Sequence, residues 1–221
     1  MDDLTDRIWD VFCTKEIFEK LKNDERFLNI LTLARFFNAL RFCQQPVIDA
    51  RSSNRPSSSR QSINSFLFAG SVLYEGFLLA EKLGQHFRDF DSFKKGFAVL
   101  LRDNKIRMLR ETVLKRMRNK FVFHFDHDIV SEALEYFELP NYRFATGFGK
   151  SSGELYYGLA DEVAMNYLLQ PKPNDTDTEL DNRLRSMMKE ITQLMGQFTD
   201  AAERLIAEVL VSMGWTAEIR E

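Results

Sequence analysis

Residues Asp177 to Met213 read DTELDNRLRSMMKEITQLMGQFTDAAERLIAEVLVSM. Within them Leu184, Met187, Met188, Ile191, Leu194, Met195, Phe198, Ala202, Leu205, Ile206, Val209 and Leu210 recur at steps of three and four, so the segment buries one side only if it is an α-helix. A long helix with a single apolar stripe needs other helices to cover it, which predicts an all-α protein. The same period appears upstream. Leu28, Leu31, Leu33, Ala34, Phe37, Leu40 and Phe42 predict a helix from Glu25 to Gln45, with Pro46 closing it. Phe66, Ala69, Leu73, Gly76, Phe77, Ala80 and Leu83 predict another, capped by Ser62 and running to about Phe87. Gly70 and Gly76 lower helix propensity inside it, so a neighbouring helix is expected to approach closely there.

Shorter elements fill the intervals. Leu4 to Leu21 reads as an amphipathic helix with Thr5 and Thr14 as N-caps. Helices are also expected over Asp91 to Leu101, Lys105 to about Phe123, Asp128 to Phe137, where Leu139-Pro140 follows, and Asp161 to Leu169. The run RSSNRPSSSR, Arg51 to Arg60, has no apolar residue and reads as a flexible loop over 51–61. Tyr142 to Tyr157 places Gly147, Gly149 and Gly153 between aromatics, the pattern of a β-hairpin, within an insertion spanning 140–176. Its GFGKSSG lacks the first glycine and the strand-loop-helix setting of a nucleotide phosphate loop. The expected organisation is one domain over 1–221, with 24–139 and 177–214 as core bundle.

Composition agrees. The chain has 221 residues, 44% hydrophobic and 29% charged, which excludes disordered, collagenous and solenoid classes. Twenty Phe against ten Gly and five Pro favour helices over turn-rich folds. A net charge of -3 rules out a chain that coats polyanions with its whole surface, so any such binding belongs to a local patch. Cys13 and Cys43 lie in no metal-ligand spacing and read as buried thiols in a reducing compartment. The acidic start MDDLTDRIWDVF has no signal-peptide pattern, and Phe66 to Ala80 is short for a membrane span and carries Glu75. A cytoplasmic protein without a membrane partner is the expectation.

One segment stands apart in charge. From Arg102 to Lys120 the balance is +6, leaving -9 for the remainder. Several Arg and Lys on one helix suit a polyanion through counterion release, or else form a solvated face paired to acidic neighbours. At its end, Arg116, Arg118, Asn119, Lys120, His124 and His127 fall within thirteen residues. A histidine near neutral pKa exchanges a proton with a sugar hydroxyl, and an arginine stays charged and grips phosphate, so together they are able to cleave RNA without metal. On an ideal helix Arg118 and His124 stand roughly 120° apart and ~9 Å along the axis, so either the helix distorts before His124 or two chains bring the groups together. Two other readings stay open: His124 and His127, at i and i+3, as metal ligands, and His124 packed among Phe121, Phe123 and Phe125.

The run RNKFVFHFD from Arg118 resembles the R-x(4-6)-H signature of HEPN domains (higher eukaryotes and prokaryotes nucleotide-binding), with five residues between Arg118 and His124 and Asn119 in the polar position. The resemblance covers about Glu25 to Phe137 and the last helix. It implies an up-and-down helical bundle that forms a homodimer, a cleft where Arg118 and His124 of both copies meet, and metal-independent cleavage of RNA by 2′-hydroxyl attack. Toxin-antitoxin or phage-defence settings, with a nucleotidyltransferase antitoxin as partner, belong to the same expectation. Asn119 would orient the catalytic pair, Arg110, Arg116 and Lys120 would hold RNA, and Glu75 and His127 would support the site. No metal and no cofactor are expected. The alternative is a non-catalytic module of the same fold that binds nucleotide, RNA or a protein.

Overall fold

The computed structural model describes residues 9–50, 56–122, 131, 134, 146–147, 156–172 and 174–219. Their elements are β1 (Trp9–Phe12), α1 (Lys15–Leu21), α2 (Glu25–Ala50), α3 (Pro56–Phe87), α4 (Asp91–Lys95), α5 (Phe97–Arg102) and α6 (Asn104–Leu109). Two π-helical turns follow, Arg110–Leu114 and Met117–Val122, then β2 (Thr146–Gly147), β3 (Tyr156–Tyr157), α7 (Gly158–Leu169), α8 (Asp177–Ser212) and β4 (Thr216–Ile219). The chain is all-α, as its periodicity requires; the strands among the described residues form only two short antiparallel pairs. Two compact units result: one from the described residues of Met1–Ala39, Gly76–Asp103 and Gly196–Glu221, the other from Leu40–Glu75 and Asn104–Met195.

In the first unit the stripe of α8 becomes an aromatic core. Phe198 is fully buried, and its ring meets Phe97 at 5.0 Å, Phe77 at 5.3 Å and Phe36 at 5.4 Å between centroids, all in edge-on geometry. Such pairs add about 0.5–1.5 kcal/mol each beyond the area they bury. A Cβ at Gly76 would collide with the Phe36 ring and lie 2.9 Å from Phe198 Cζ, so glycine there is what lets the rings approach α3. This is the close approach expected from the sequence.

Both ends of this unit depart from expectation. Trp9–Phe12 does not continue a helix from Leu4; it pairs with β4 in the register Trp9↔Ile219 to Phe12↔Thr216. Aromatic and β-branched residues suit a strand, and the deciding partner comes from the far end of the chain. Thr14 then caps α1, its Oγ1 accepting from Ile17 N at 3.3 Å; Thr5 lies outside the described residues. Glycine supplies the other end: Gly214, at φ +89, closes α8 with Gly214 N donating to Val211 O and Trp215 N to Leu210 O, a Schellman arrangement that turns Trp215 over Phe27 at 5.9 Å. The single helix expected over Asp91 to Leu101 is two, divided at Gly96, where a Cβ would meet Ala201 Cβ and Ser92 O at 2.8 Å. Glu208 stabilises the start of α4 by accepting from Asp91 N and Ser92 N at 3.3 and 2.8 Å.

The second unit packs Phe66, Leu67, Ala69 and Leu73 of α3 with Leu114 and Met117 of the π-helical turns, Val163, Met165, Tyr167 and Leu168 of α7, and Ile191, Leu194 and Met195 of α8 in its buried core. Gly70 faces Met117 Sδ with no room for a methyl group between them. Thr176 and Glu179 form a capping box at the start of α8: Glu179 Oε2 accepts from Thr176 N at 2.7 Å and Thr176 Oγ1 from Glu179 N at 3.3 Å. Beside it Arg183 bridges Asp175 at 2.8 Å and donates to Leu169 O at 3.1 Å, where α7 ends in the left-handed residue Gln170. In the hairpin Thr146 pairs with Tyr157 and Gly147 with Tyr156; residues 148–155 lie outside the described residues. Of the helix expected over Asp128 to Phe137, Ser131 and Leu134 are helical and the other residues are outside the description.

Four further expectations are corrected. Pro46 does not close α2, which continues to Ala50; a proline removes one donor near the end, and one more turn survives it. The loop expected over 51–61 yields to α3 from Pro56, six residues before Ser62, because proline's fixed φ suits the first turn of a helix. The stripe assigned to α2 is partly on the wrong face: Phe27, Ile30, Leu33 and Leu40 are buried, whereas Leu28, Leu31 and Phe42 are exposed. Cys13 and Cys43 are free thiols, but each is half-buried, Cys13 precedes α1 without joining it, and burial raises the Cys43 pKa. Among the described residues the stretch Ile63–Phe87 of α3 is long and apolar enough to cross a membrane by length and composition only, and half of its most apolar window is buried in the protein, as in a core helix.

Candidate functional site

The basic segment does not remain an ideal α-helix. After Leu109 its hydrogen bonding passes into two π-helical turns separated by Lys115 and Arg116. Such turns insert extra residues into a helix, re-aim the side chains beyond them and concentrate at functional positions. Neither glycine nor proline marks the change. Leu114 and Met117, both fully buried, anchor the inner side of this segment, which leaves Arg118 and Asn119 at its margin.

Arg118 is held on two sides. Its Nε donates to Glu75 Oε1 at 2.7 Å and its Nη1 to Asn119 Oδ1 at 3.0 Å. A guanidinium carries its five donors in one plane, so fixing Nε and one Nη fixes the orientation of the whole group. Glu75 is the lone carboxylate of the apolar run Ile63 to Ala80, placed beside the buried stripe of α3. The side chains of Arg118 and Glu75 are 37% and 41% exposed, which puts the pair within reach of a ligand from solvent. An anion arriving here meets an oriented cation whose charge is partly offset by the carboxylate behind it.

The other basic residues divide by environment. Arg116 faces α7: Nη1 donates to Leu168 O and Nη2 to Gln170 Oε1, each at 3.2 Å, and the guanidinium carbon stands 5.7 Å from the Tyr167 ring centre. A cation at the carboxyl end of α7 satisfies its last carbonyls and suits the helix dipole. Arg110 Nε donates to Glu111 Oε1 at 3.1 Å, and Lys115 Nζ to Glu111 Oε2 at 3.2 Å. The Lys115 hydrogen bond is the main reason the Glu111 carboxyl titrates below its usual range. Lys105, Arg107 and Lys115 are exposed, as is Met108 between them, with 61% of its surface open.

Of the residues singled out in the sequence, Glu75, Arg118 and Asn119 come together, while Arg110 and Arg116 engage partners of their own. Lys120 continues the second π-helical turn in its backbone, and its side chain, His124 and His127 lie outside the described residues. Among the described residues no three His, Cys, Asp or Glu side chains gather as metal ligands. Sequence reading missed the seat of Arg116, because a backbone carbonyl and a left-handed glutamine fifty residues away leave no pattern. No family model, no curated protein and no solved structure matches this chain.

Proposed function

We propose that this protein is a metal-independent endoribonuclease of HEPN type, acting as a homodimer, with Arg118 and His124 as its catalytic pair. One observation carries the reading: a half-exposed guanidinium, held by Glu75 at 2.7 Å and Asn119 at 3.0 Å, stands on a π-helical turn six residues before the histidine. In the reaction His124 takes the proton of a ribose 2′-hydroxyl as that oxygen attacks the adjacent phosphorus. The His124 imidazolium of the second copy donates a proton to the departing 5′-oxygen, giving a 2′,3′-cyclic phosphate end and a 5′-hydroxyl end. Arg118 stabilises the negative charge that accumulates on the phosphoryl oxygens, an effect that grows toward the transition state and so accelerates the step. Glu75 and Asn119 hold the guanidinium in place before substrate arrives, which removes reorganisation from the barrier. On an ideal helix the two groups would not converge; the π-helical turns up to Val122 support the reading because such turns re-aim the side chains they carry, and a second copy is proposed to complete the site. A toxin or phage-defence role, opposed by a nucleotidyltransferase partner, follows from the same reading.

The test is cleavage of RNA by purified protein in EDTA, comparing Arg118→Ala, His124→Ala and Glu75→Gln. The proposal expects product ends carrying cyclic phosphate, loss of cleavage in the first two variants and partial loss in the third. Activity abolished by the chelator, or unchanged in His124→Ala, would falsify it. The pairing of Arg118 with Glu75 equally suits a second reading, a non-cleaving RNA- or nucleotide-binding module; binding weakened by Arg118→Ala with no product from the parent protein would establish that one.

A further inference from the structure

We infer that Gly70 is a positioning residue of the Arg118 site: the missing side chain at that point of α3 is the seat of Met117, and the depth of that seat sets where Arg118 stands relative to Glu75. The seat stands on its own geometry; its catalytic consequence rests on the ribonuclease reading. Gly70 lies in the interior of α3, where glycine weakens a helix relative to alanine. A Cβ there would collide with Met117 Sδ and lie 3.5 Å from Met117 Cε and 3.6 Å from Leu114 Cδ2. Leu114 and Met117 are fully buried, so neither has open space to swing into. Gly76 also admits close neighbours, but those are the rings of Phe36 and Phe198. What sets Gly70 apart is that the residue after Met117 is Arg118.

Two consecutive residues are thus held at two points of one helix. Met117 sits on Gly70, and Arg118 Nε donates to Glu75 Oε1 at 2.7 Å, ~7.5 Å further along the axis of α3. Met117 also opens the second π-helical turn, Met117–Val122. No glycine or proline between Arg110 and Val122 imposes that turn, so long-range packing places it, and Gly70 is the contact at its first residue. Non-bonded heavy atoms settle at about 3.5–4.0 Å, so a methyl group at Gly70 pushes Met117 away by on the order of 1 Å. An N–H···O bond weakens beyond about 3.2 Å, and a shift of that size carries the 2.7 Å bond past this limit unless the guanidinium gives up its orientation. Misplacing a reacting group by ~1 Å costs about a hundredfold in rate.

The experiment follows the Arg118 Nε–H resonance by proton–nitrogen NMR, assigned by its disappearance in Arg118→Lys, together with RNA cleavage kinetics in EDTA. It compares the parent protein with Gly70→Ala, Met117→Ala, Gly70→Ala/Met117→Val and, as a control, Gly196→Ala, where no atom lies within 4 Å of the added methyl group. Gly70→Ala is expected to shift the resonance and speed its hydrogen exchange. Its kcat falls at least about tenfold with KM within about twofold, the mark of an interaction lost in the transition state. The double variant shortens the side chain at 117 by about as much as it adds at 70, so resonance and kcat return to within about threefold of the parent. Gly196→Ala changes neither. Met117→Ala leaves the seat empty and adds no bulk; it loosens the same resonance, and so reads the seat even where Gly70→Ala does not fold. A parent-like resonance in folded Gly70→Ala or in Met117→Ala, a loss that the double variant does not recover, or an equal loss in Gly196→Ala would each overturn the inference. A resonance displaced in Gly70→Ala and restored in the double variant, in a protein that never cleaves RNA, would uphold the seat while removing the ribonuclease reading.

Discussion

Replacing Phe198 with alanine and Gly76 with alanine, singly and together, tests the aromatic core where three helical stripes converge. Phe198 is fully buried against Phe36, Phe77 and Phe97. Truncating a buried phenylalanine costs about 3–5 kcal/mol, and three edge-on ring partners put this one toward the upper end. Gly76→Ala forces a methyl group into the Phe36 ring and against Phe198 Cζ. Overpacking of that kind costs about 1–3 kcal/mol, while alanine returns about 0.8–1 kcal/mol of helix propensity, so the net destabilisation is ~0–2 kcal/mol. In the double variant the Phe36 ring swings into the space Phe198 has vacated and the new methyl fills part of it. The loss in the double variant should therefore be smaller than the sum of the single losses by about 1 kcal/mol or more. Urea unfolding followed by tryptophan fluorescence reads this directly, since Trp9 and Trp215 both belong to the same compact unit. Midpoints should shift at nearly constant slope. Additivity within ~0.5 kcal/mol, the behaviour of sites without shared partners, would refute the reasoning, as would a stabilising Gly76→Ala in the parent background.

The Arg118–Glu75 pair is expected to matter little for folding: with both side chains about 40% exposed, a thermal double-mutant cycle should give a coupling of ~1 kcal/mol or less, and a much larger value would mean that the pair is structural. Arg116→Ala should destabilise the protein by about 1–2 kcal/mol through its lost carbonyl, amide and ring contacts; unchanged melting would contradict the seat described for it. Thr176→Ala removes the cap of α8 at a cost of ~1 kcal/mol, visible as increased amide exchange in its first turn. The same turn is pH-sensitive. Asp175 is held below its ordinary 3.8, chiefly by the Lys172 amide with Arg183 assisting, and Glu179 below its ordinary 4.5, chiefly by the Thr176 amide and hydroxyl. Because both native pKa values are depressed, the stability they contribute is present above the ordinary values and is lost as pH falls through the lower native ones. Amide shifts of Lys172 and Thr176 should therefore titrate below pH 4.5, and Asp175→Asn with Glu179→Gln should remove the transition.

Periodicity alone determined that the chain is all-α, that α3 and α8 exist, that the stripe of α3 from Phe66 to Leu83 and most of that of α8 from Ile191 to Leu210 are buried, and that glycines at 70 and 76 admit close neighbours. Leu184, Met187, Met188 and Ile206 of the α8 stripe are only half-buried. An apolar stripe is a local property, and its free energy is realised only when covered, so it is legible before any partner is known. The charge of the segment around Arg118 and the adjacency of Asn119 were visible in the sequence too, while the catalytic role given to them is a proposal. Only the tertiary structure decided the face of α2, because Phe27, Leu28, Ile30, Leu31, Leu33, Phe36 and Phe37 make that helix apolar nearly all round and the packing partner chooses between sides. It also turned Trp9–Phe12 into a strand, since β4 is supplied from about two hundred residues away. Long-range contacts likewise brought Glu75 to Arg118 and the Leu168 carbonyl to Arg116. A hydrogen bond between residues forty or fifty positions apart depends on how helices meet, and that information lies in the packing of whole elements instead of in any window of sequence.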